Sequence, residues 1–206
     1  GKNVAFSVGD EATVVLDANG FIIYVDEAKA SSNQYVFITD IAKDGNFSDA
    51  DTLAKAYFTD GTYKKITIKN DDEVYSASAD TNLWYSYSEK KSGKFELTDV
   101  AAADFKQVSV KANGEKLTDN GSTTVGVGTI ESGAAFKANK STTFIVLDDN
   151  DNIKVYEGIS KVPTIKADGT HTVTAYAKMD GSFAEYVFID ASDASVKGNT
   201  KSATDY

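Results

Sequence analysis

The sequence predicts a mostly β fold: two small antiparallel β-barrel or β-sandwich domains built from hairpins, with one or two short helical turns. Three observations carry that expectation. β-branched and aromatic residues are plentiful, with 11 Tyr and 11 Phe, while proline occurs once. Apolar residues recur with a period near two rather than the ~3.6 of a helix. Asn-Gly, Asp-Gly and Ser-Gly pairs punctuate the apolar runs, where the positive φ of a tight turn is needed.

Taken in order, "VAFSV" reads as a strand, and "EATVVLD" and "FIIYVDEA" form a hairpin around Asn19-Gly20. Gln34 to Ile41, "QYVFITDI", is the next strand. Ser48 stands three residues before Asp51, the spacing of a capping box, so a short helical turn is expected there. Two hairpins follow, "AKAYFTDGTYKKITIK" on Asp60-Gly61 and "LWYSYSEKKSGKFELTDV" on Ser92-Gly93. Asp99 to Asp104, "DVAAAD", has one strand former and interrupts the pattern. The expected division is therefore 1–103 and 104–191, with 192–206 a polar tail poor in anything to bury.

In the second half, "FKQVSVKANGEKLT" reads as a hairpin on Asn113-Gly114, and "GSTTVGVGTIESG" as a flexible connection. "TTFIVLDDNDNIKVYEGI" follows, then the connector "SKVPTIKADG" and a hairpin turning at Asp180-Gly181. In that last hairpin, alternation puts Val173, Ala175 and Ala177 on one face, and Phe183, Glu185, Val187 and Ile189 on one face of the return strand.

The halves repeat each other in phrases. Val15, Leu16, Asp17, Asn19 and Ile22 align without a gap to Val146, Leu147, Asp148, Asn150 and Ile153. "TDGTYKKITI" resembles "MDGSFAEYVF" in its turn and in the aromatic that follows, Tyr63 or Phe183. "YVFI" occurs verbatim at Tyr35 to Ile38 and at Tyr186 to Ile189. The three offsets differ, which fits two related domains with unequal loops better than a strict solenoid.

Charge narrows the partners. There are 21 basic residues, all Lys, against 31 acids, a formal net charge of -10. Such a field repels phosphate backbones, and without Arg there is no planar fork for bidentate phosphate contacts, so nucleic acid is not an expected partner. No run approaches the ~20 apolar residues of a membrane span, so no membrane insertion is expected. With no cysteine, thiolate metal sites, disulfides and thiol catalysis are excluded together. The opening "GKNVAF" leads at once into strand-like sequence, which reads as a fragment of a longer secreted protein.

Four features invite a chemical reading. "DDNDN", Asp148 to Asn152, is rich in oxygen ligands, but a helix-loop-helix calcium loop needs Gly at its sixth position and Glu at its twelfth. Counted from Asp148 these are Ile153 and Ile159, so the stretch reads as a turn, with Asp148, Asn150 and Asn152 the places where adventitious calcium would bind. His171, the only histidine, opens a strand after an Asp-Gly turn near Asp168 and reads as solvated; a hydrolase built on it, or on a chance pair of acids, is the third-ranked function. Trp84, the only tryptophan, alternates with Leu83, Tyr85 and Tyr87. Core is the favoured reading, whereas an exposed Trp84 with Tyr85 and Tyr87 would suit stacking on a sugar ring. The glycines of "VGVGTIESG" lack the strand-to-helix context and the spacing of a nucleotide loop. No cofactor is called for.

The phrases "VGDEATVVLDANGFIIYVDEAKASSNQYVFITD", "YFTDGTYKKITI" and "LWYSYSEKKSGKFELTDV" together resemble the β-rich repeat region of large Firmicutes surface proteins that carry S-layer homology domains. "TTFIVLDDNDNIKVYEGISKVPTI" with "AYAKMDGSFAEYVFI" is similar to the module that follows it there, so the resemblance runs from about Val8 to Ala191. It implies an extracellular, wall- or S-layer-associated location, with wall attachment supplied by helical repeats that this chain lacks. The expected function is a non-catalytic structural or spacer module, with self-association or other surface proteins as partners. The alternative is a glycan-binding or adhesive module using Trp84, Tyr85 and Tyr87.

Overall fold

The computed structural model describes residues 14–16, 22–25, 34–45, 50–69, 79–119 and 122–193. The chain divides into two compact units, Gly1–Gln34 and Tyr35–Tyr206. In the first, β1 (Val14–Leu16) and β2 (Ile22–Val25) form an antiparallel pair in which Leu16 faces Ile22. The Asn19-Gly20 turn, the "VAFSV" strand and Ser48 lie outside the described residues.

The second unit holds two β lobes. One is a closed barrel of β3 (Tyr35–Lys43), β4 (Thr52–Phe58), β5 (Tyr63–Ile68), β6 (Leu83–Glu89) and β7 (Phe95–Asp99), in the order β3-β4-β5-β7-β6 with β6 returning to β3. The strand β4 starts at Thr52, directly after Asp51, so the capping-box spacing leads into a strand. The interruption at Asp99 to Asp104 carries the one short helical turn among the described residues, Ala102–Asp104, and it is no loose linker: Val100 and Phe105 on either side of it are partly buried against an aromatic cluster.

Beyond it come β8 (Phe105–Val110), β9 (Lys116–Thr118), β10 (Thr124–Gly126), β11 (Ala135–Lys137), β12 (Thr143–Leu147), β13 (Ile153–Glu157), β14 (Ile165–Lys166), β15 (Val173–Asp180) and β16 (Phe183–Asp190). Five of these form a sheet in the order β13-β12-β16-β15-β8. The small pairs β10-β11 and β14-β9 supply Leu117, Val125, Phe136 and Ile165 to the same core as Val108, Val146, Val173 and Val187 of the sheet, covering one of its faces. One lobe is thus a barrel and the other a layered sheet.

The lobes share one strand plan. From β3 the barrel runs β3, β4, β5, β7, β6, and from β8 the sheet runs β8, β15, β16, β12, β13. Successive neighbours are antiparallel, antiparallel, parallel and antiparallel in both. The parallel junctions, β5 with β7 and β12 with β16, are the two exceptions to the antiparallel pairing expected of hairpin-built lobes. In the barrel the cause is closure: β6 must sit beside β3, which leaves β7 beside β5 and running the same way. The phrase repeat between "TDGTYKKITI" and "MDGSFAEYVF" falls on β4-β5 and β15-β16, which occupy matching places in this plan.

Two further expectations change. Strands β8 and β9 flank the Asn113-Gly114 turn without pairing; β8 pairs with β15 and β9 with β14, and the Gly114 N–H donates to the Ala167 carbonyl at 3.0 Å. In β15-β16 the register shifts so that Lys178 faces Tyr186 and Met179 faces Ala184, leaving Glu185 as the extra residue of a bulge. The bulge reverses alternation, so Ala184 joins Val187 and Ile189 in the core while Phe183 is exposed. Where the core must hold polar groups, threonine satisfies them: the buried Thr118 hydroxyl donates to the Pro163 carbonyl at 2.7 Å and accepts from the Ile165 N–H at 3.0 Å.

Candidate functional site

Alternation along "YVFI" builds the feature that joins the lobes. In β3, Val36 and Ile38 point into the barrel core, so Tyr35 and Phe37 point out of it. In β16, Val187 and Ile189 enter the core of the sheet lobe, and Tyr186 and Phe188 take the other face. The two copies of the tetrapeptide therefore meet in the same order, Tyr35 against Tyr186 with ring centroids 5.5 Å apart and Phe37 stacked on Phe188 at 4.3 Å. Tyr57 of β4 and Trp84 of β6 extend the barrel's side of this seam; Ile145, Leu147 and Tyr176 extend the sheet's side. Centroid distances of 5.3 Å from Phe37 to Trp84 and 5.0 Å to Tyr176 fall in the range where aromatic pairs add stabilisation beyond buried area.

Trp84 is 1% exposed and Tyr85 0%. The indole Nε1 of Trp84 donates across the seam to the Tyr176 carbonyl at 2.9 Å, while Tyr85 lies in the barrel with its hydroxyl donating to the Asp80 carbonyl at 2.9 Å. Tyr87 is half-buried between Phe58 and Phe95 inside the barrel. Strand β6 is covered on both faces at Trp84 and Tyr85, so the three aromatics that sugar stacking would need on a surface are committed to two different interiors. Sequence alternation separated Trp84 from Tyr85 and Tyr87; it carried no sign of a second lobe on the Trp84 side.

Polar groups close the seam at its margins. Lys178 Nζ bonds Glu185 at 2.6 Å and sits 4.7 Å above the Tyr35 ring, a cation–π contact between the lobes. Burial alone would lower the Lys178 pKa, but the hydrogen bond and charge of Glu185 outweigh it and raise it. Burial raises the phenols of Tyr57, Tyr176 and Tyr186, helped by the neighbouring Tyr63, Asp190 and Glu185 respectively. All four folded-state values lie above the unfolded ones. Their contribution to stability is therefore complete below the unfolded pKa and is lost as pH rises, beginning near the ordinary Tyr value of about 10. An alkaline titration followed by tyrosinate absorbance should show a late-ionising class in the folded chain that disappears in denaturant, with the unfolding midpoint falling over the same pH interval.

The "DDNDN" stretch is a three-residue hairpin loop. Asp148 N–H donates to the Asn152 carbonyl at 3.0 Å and Asp151 N–H to the Asp148 carbonyl at 3.1 Å. The same two bonds recur at Phe58–Thr62 and at Lys90–Lys94. Asp148 Oδ1 accepts the N–H groups of Asn150 at 3.0 Å and Asn152 at 2.9 Å, and Lys154 Nζ lies 3.4 Å from Oδ2. Burial opposes ionisation of Asp148, but these donors prevail and lower its pKa. A carboxylate so surrounded by N–H donors and an ammonium is the lock of a turn, and Asn150 and Asn152 turn their backbone N–H groups toward it. The loop position with positive φ is filled by Gly61 and Gly93 in the other two hairpins and by Asp151, at 59°, here. Asp151→Gly should stabilise the chain by about 0.5–1 kcal/mol, read as a rise in thermal midpoint.

The aligned residues pair alike: Leu16 is opposite Ile22 as Leu147 is opposite Ile153. His171 Nδ1 lies 2.7 Å from Asp168 Oδ2, and Asp168 Oδ1 accepts the N–H groups of Thr170 and His171, both at 2.8 Å. Those hydrogen bonds from His171 and Thr170 hold the Asp168 carboxyl far below the usual range. The pair is an exposed turn cap. Among the described residues no group of three or more His, Asp or Glu side chains is placed to hold a metal ion.

Comparison with protein-family models, with curated proteins and with solved structures finds no match to this chain.

Proposed function

We propose that this chain is a non-catalytic structural module, a stiff spacer in a surface-layer-type protein held outside the cell wall. The observation that carries the proposal is the seam: the two "YVFI" strands lie ring to ring, with Phe37, Trp84, Tyr176 and Phe188 forming one interior shared by both lobes. An interface made of stacked aromatics with a buried hydrogen bond resists hinge motion, as a stiff spacer must. Short hairpin loops locked by Asp60 and Asp148, and the connecting turn locked by Asp168, leave few flexible stretches among the described residues for proteases to enter. The net charge of -10 favours dispersal of closely spaced copies. The extracellular assignment rests on the phrase resemblance to Firmicutes surface proteins.

Antibodies against the chain applied to intact source cells test the location. Labelling of unbroken cells is the expected result; labelling only after lysis contradicts the reading. Light scattering over a concentration series, with and without calcium, tests self-association: growth in mass with concentration supports an assembly unit, and a monomer throughout restricts the role to spacing.

A further inference from the structure

The chain has no cysteine and therefore cannot staple its hairpins with disulfides, yet it sets two phenols together at the margin of the seam. Tyr57 and Tyr63 are directly opposed across β4 and β5, with ring centroids 5.1 Å apart and planes at 45°. Tyr57 is half-buried and packs on Phe188 at 4.9 Å, so one ring is fixed by the second lobe. Tyr63 is 44% exposed and begins β5 just after the loop, so the other ring is open to an oxidant and has room to turn.

We propose that Tyr57 and Tyr63 are an oxidative cross-linking site, joined as dityrosine by a peroxide-driven one-electron oxidant such as a haem peroxidase. Each phenol gives up one electron and one proton to become a phenoxyl radical. The two radicals combine at ring carbons next to the hydroxyls, forming one carbon–carbon bond, and each ring regains aromaticity by moving the displaced ring hydrogen to its oxygen. In sum the pair loses two hydrogens, which reduce one hydrogen peroxide to two waters. The product closes the β4-β5 loop covalently beside the seam, a staple that a thiol-free chain can make outside the cell. This inference does not depend on the spacer role, because it follows from the geometry of the two rings.

The chemistry contains its own comparison. Tyr35 and Tyr186 are nearly as close, at 5.5 Å, but Lys178 lies over the Tyr35 ring and Glu185 borders Tyr186, so both rings are held in place. The test treats the whole folded chain with a haem peroxidase and limiting hydrogen peroxide, then digests it after lysine. Cleavage after Lys55 and Lys64 leaves both tyrosines of the site in one peptide, Ala56 to Lys64. The expected result is that this peptide loses the mass of two hydrogens and gains the blue fluorescence of dityrosine, in protein that stays monomeric on a denaturing gel. Tyr63→Phe should abolish the signal in that peptide, Tyr35→Phe should leave it, and prior unfolding in urea should remove the selectivity. The proposal is overturned if the peptide keeps its mass while cross-links appear at Tyr35–Tyr186 or only between chains, or if the unfolded chain couples the same pair as efficiently.

Discussion

Trp84→Ala should destabilise the second unit by roughly 4–6 kcal/mol, the largest effect of any single substitution considered. Truncating a buried aromatic to alanine costs about 3–5 kcal/mol in lost burial and residual cavity. Here the change also removes the hydrogen bond from the indole N–H to the Tyr176 carbonyl at 2.9 Å, which adds about 1 kcal/mol. Denaturant unfolding followed by far-ultraviolet circular dichroism measures it. Trp84→Phe separates the two contributions, since it keeps most of the ring and loses the donor; it should cost no more than about half as much. A Trp84→Ala chain as stable as the parent would mean that the indole is not a shared core residue.

Phe37→Ala should cost about 3–5 kcal/mol, because its ring touches Trp84, Tyr176 and Phe188 at once. The informative experiment pairs it with Phe188→Ala on the other lobe. If the stacked rings form one interior, the first truncation removes part of what the second would cost, and the double variant should fall short of additivity by about 1–3 kcal/mol. Strict additivity would place the two rings in independent cores.

How far the sequence discloses this molecule follows from how local each determinant is. The hairpins on Asp60-Gly61 and Ser92-Gly93 are legible because positive φ at Gly61 and Gly93 is a local demand met by a local residue. "DDNDN" is legible as a turn for the same reason, although Asp151 at the left-handed position shows that a helpful residue is not an obligatory one. Bulges are less legible: nothing near Glu185 announces the extra residue that sends Ala184 inward and Phe183 outward. Pairing between distant strands is set by the whole lobe, so β8 finds β15 rather than β9, and β5 takes β7 in parallel.

The seam was written twice in the sequence and still could not be read. Alternation assigns Phe37 and Phe188 to the faces opposite Val36 and Val187, but it does not say what covers those faces. A verbatim repeat of four strong strand formers, apolar on both faces, is the one signal that could have pointed there, since a strand with two apolar faces must be covered on both. The same reasoning applies to Trp84, flanked by barrel-facing Leu83 and Tyr85.

The central claim is that barrel and sheet lobe share an interior and open together. Native-state hydrogen exchange resolved to individual amides tests it directly, by comparing the slowest amides of β3 and β4 with those of β15 and β16. One opening free energy common to both sets, equal to that of global unfolding, is the predicted result. Barrel amides that exchange through a separate, lower-energy opening while the sheet lobe stays protected would contradict it.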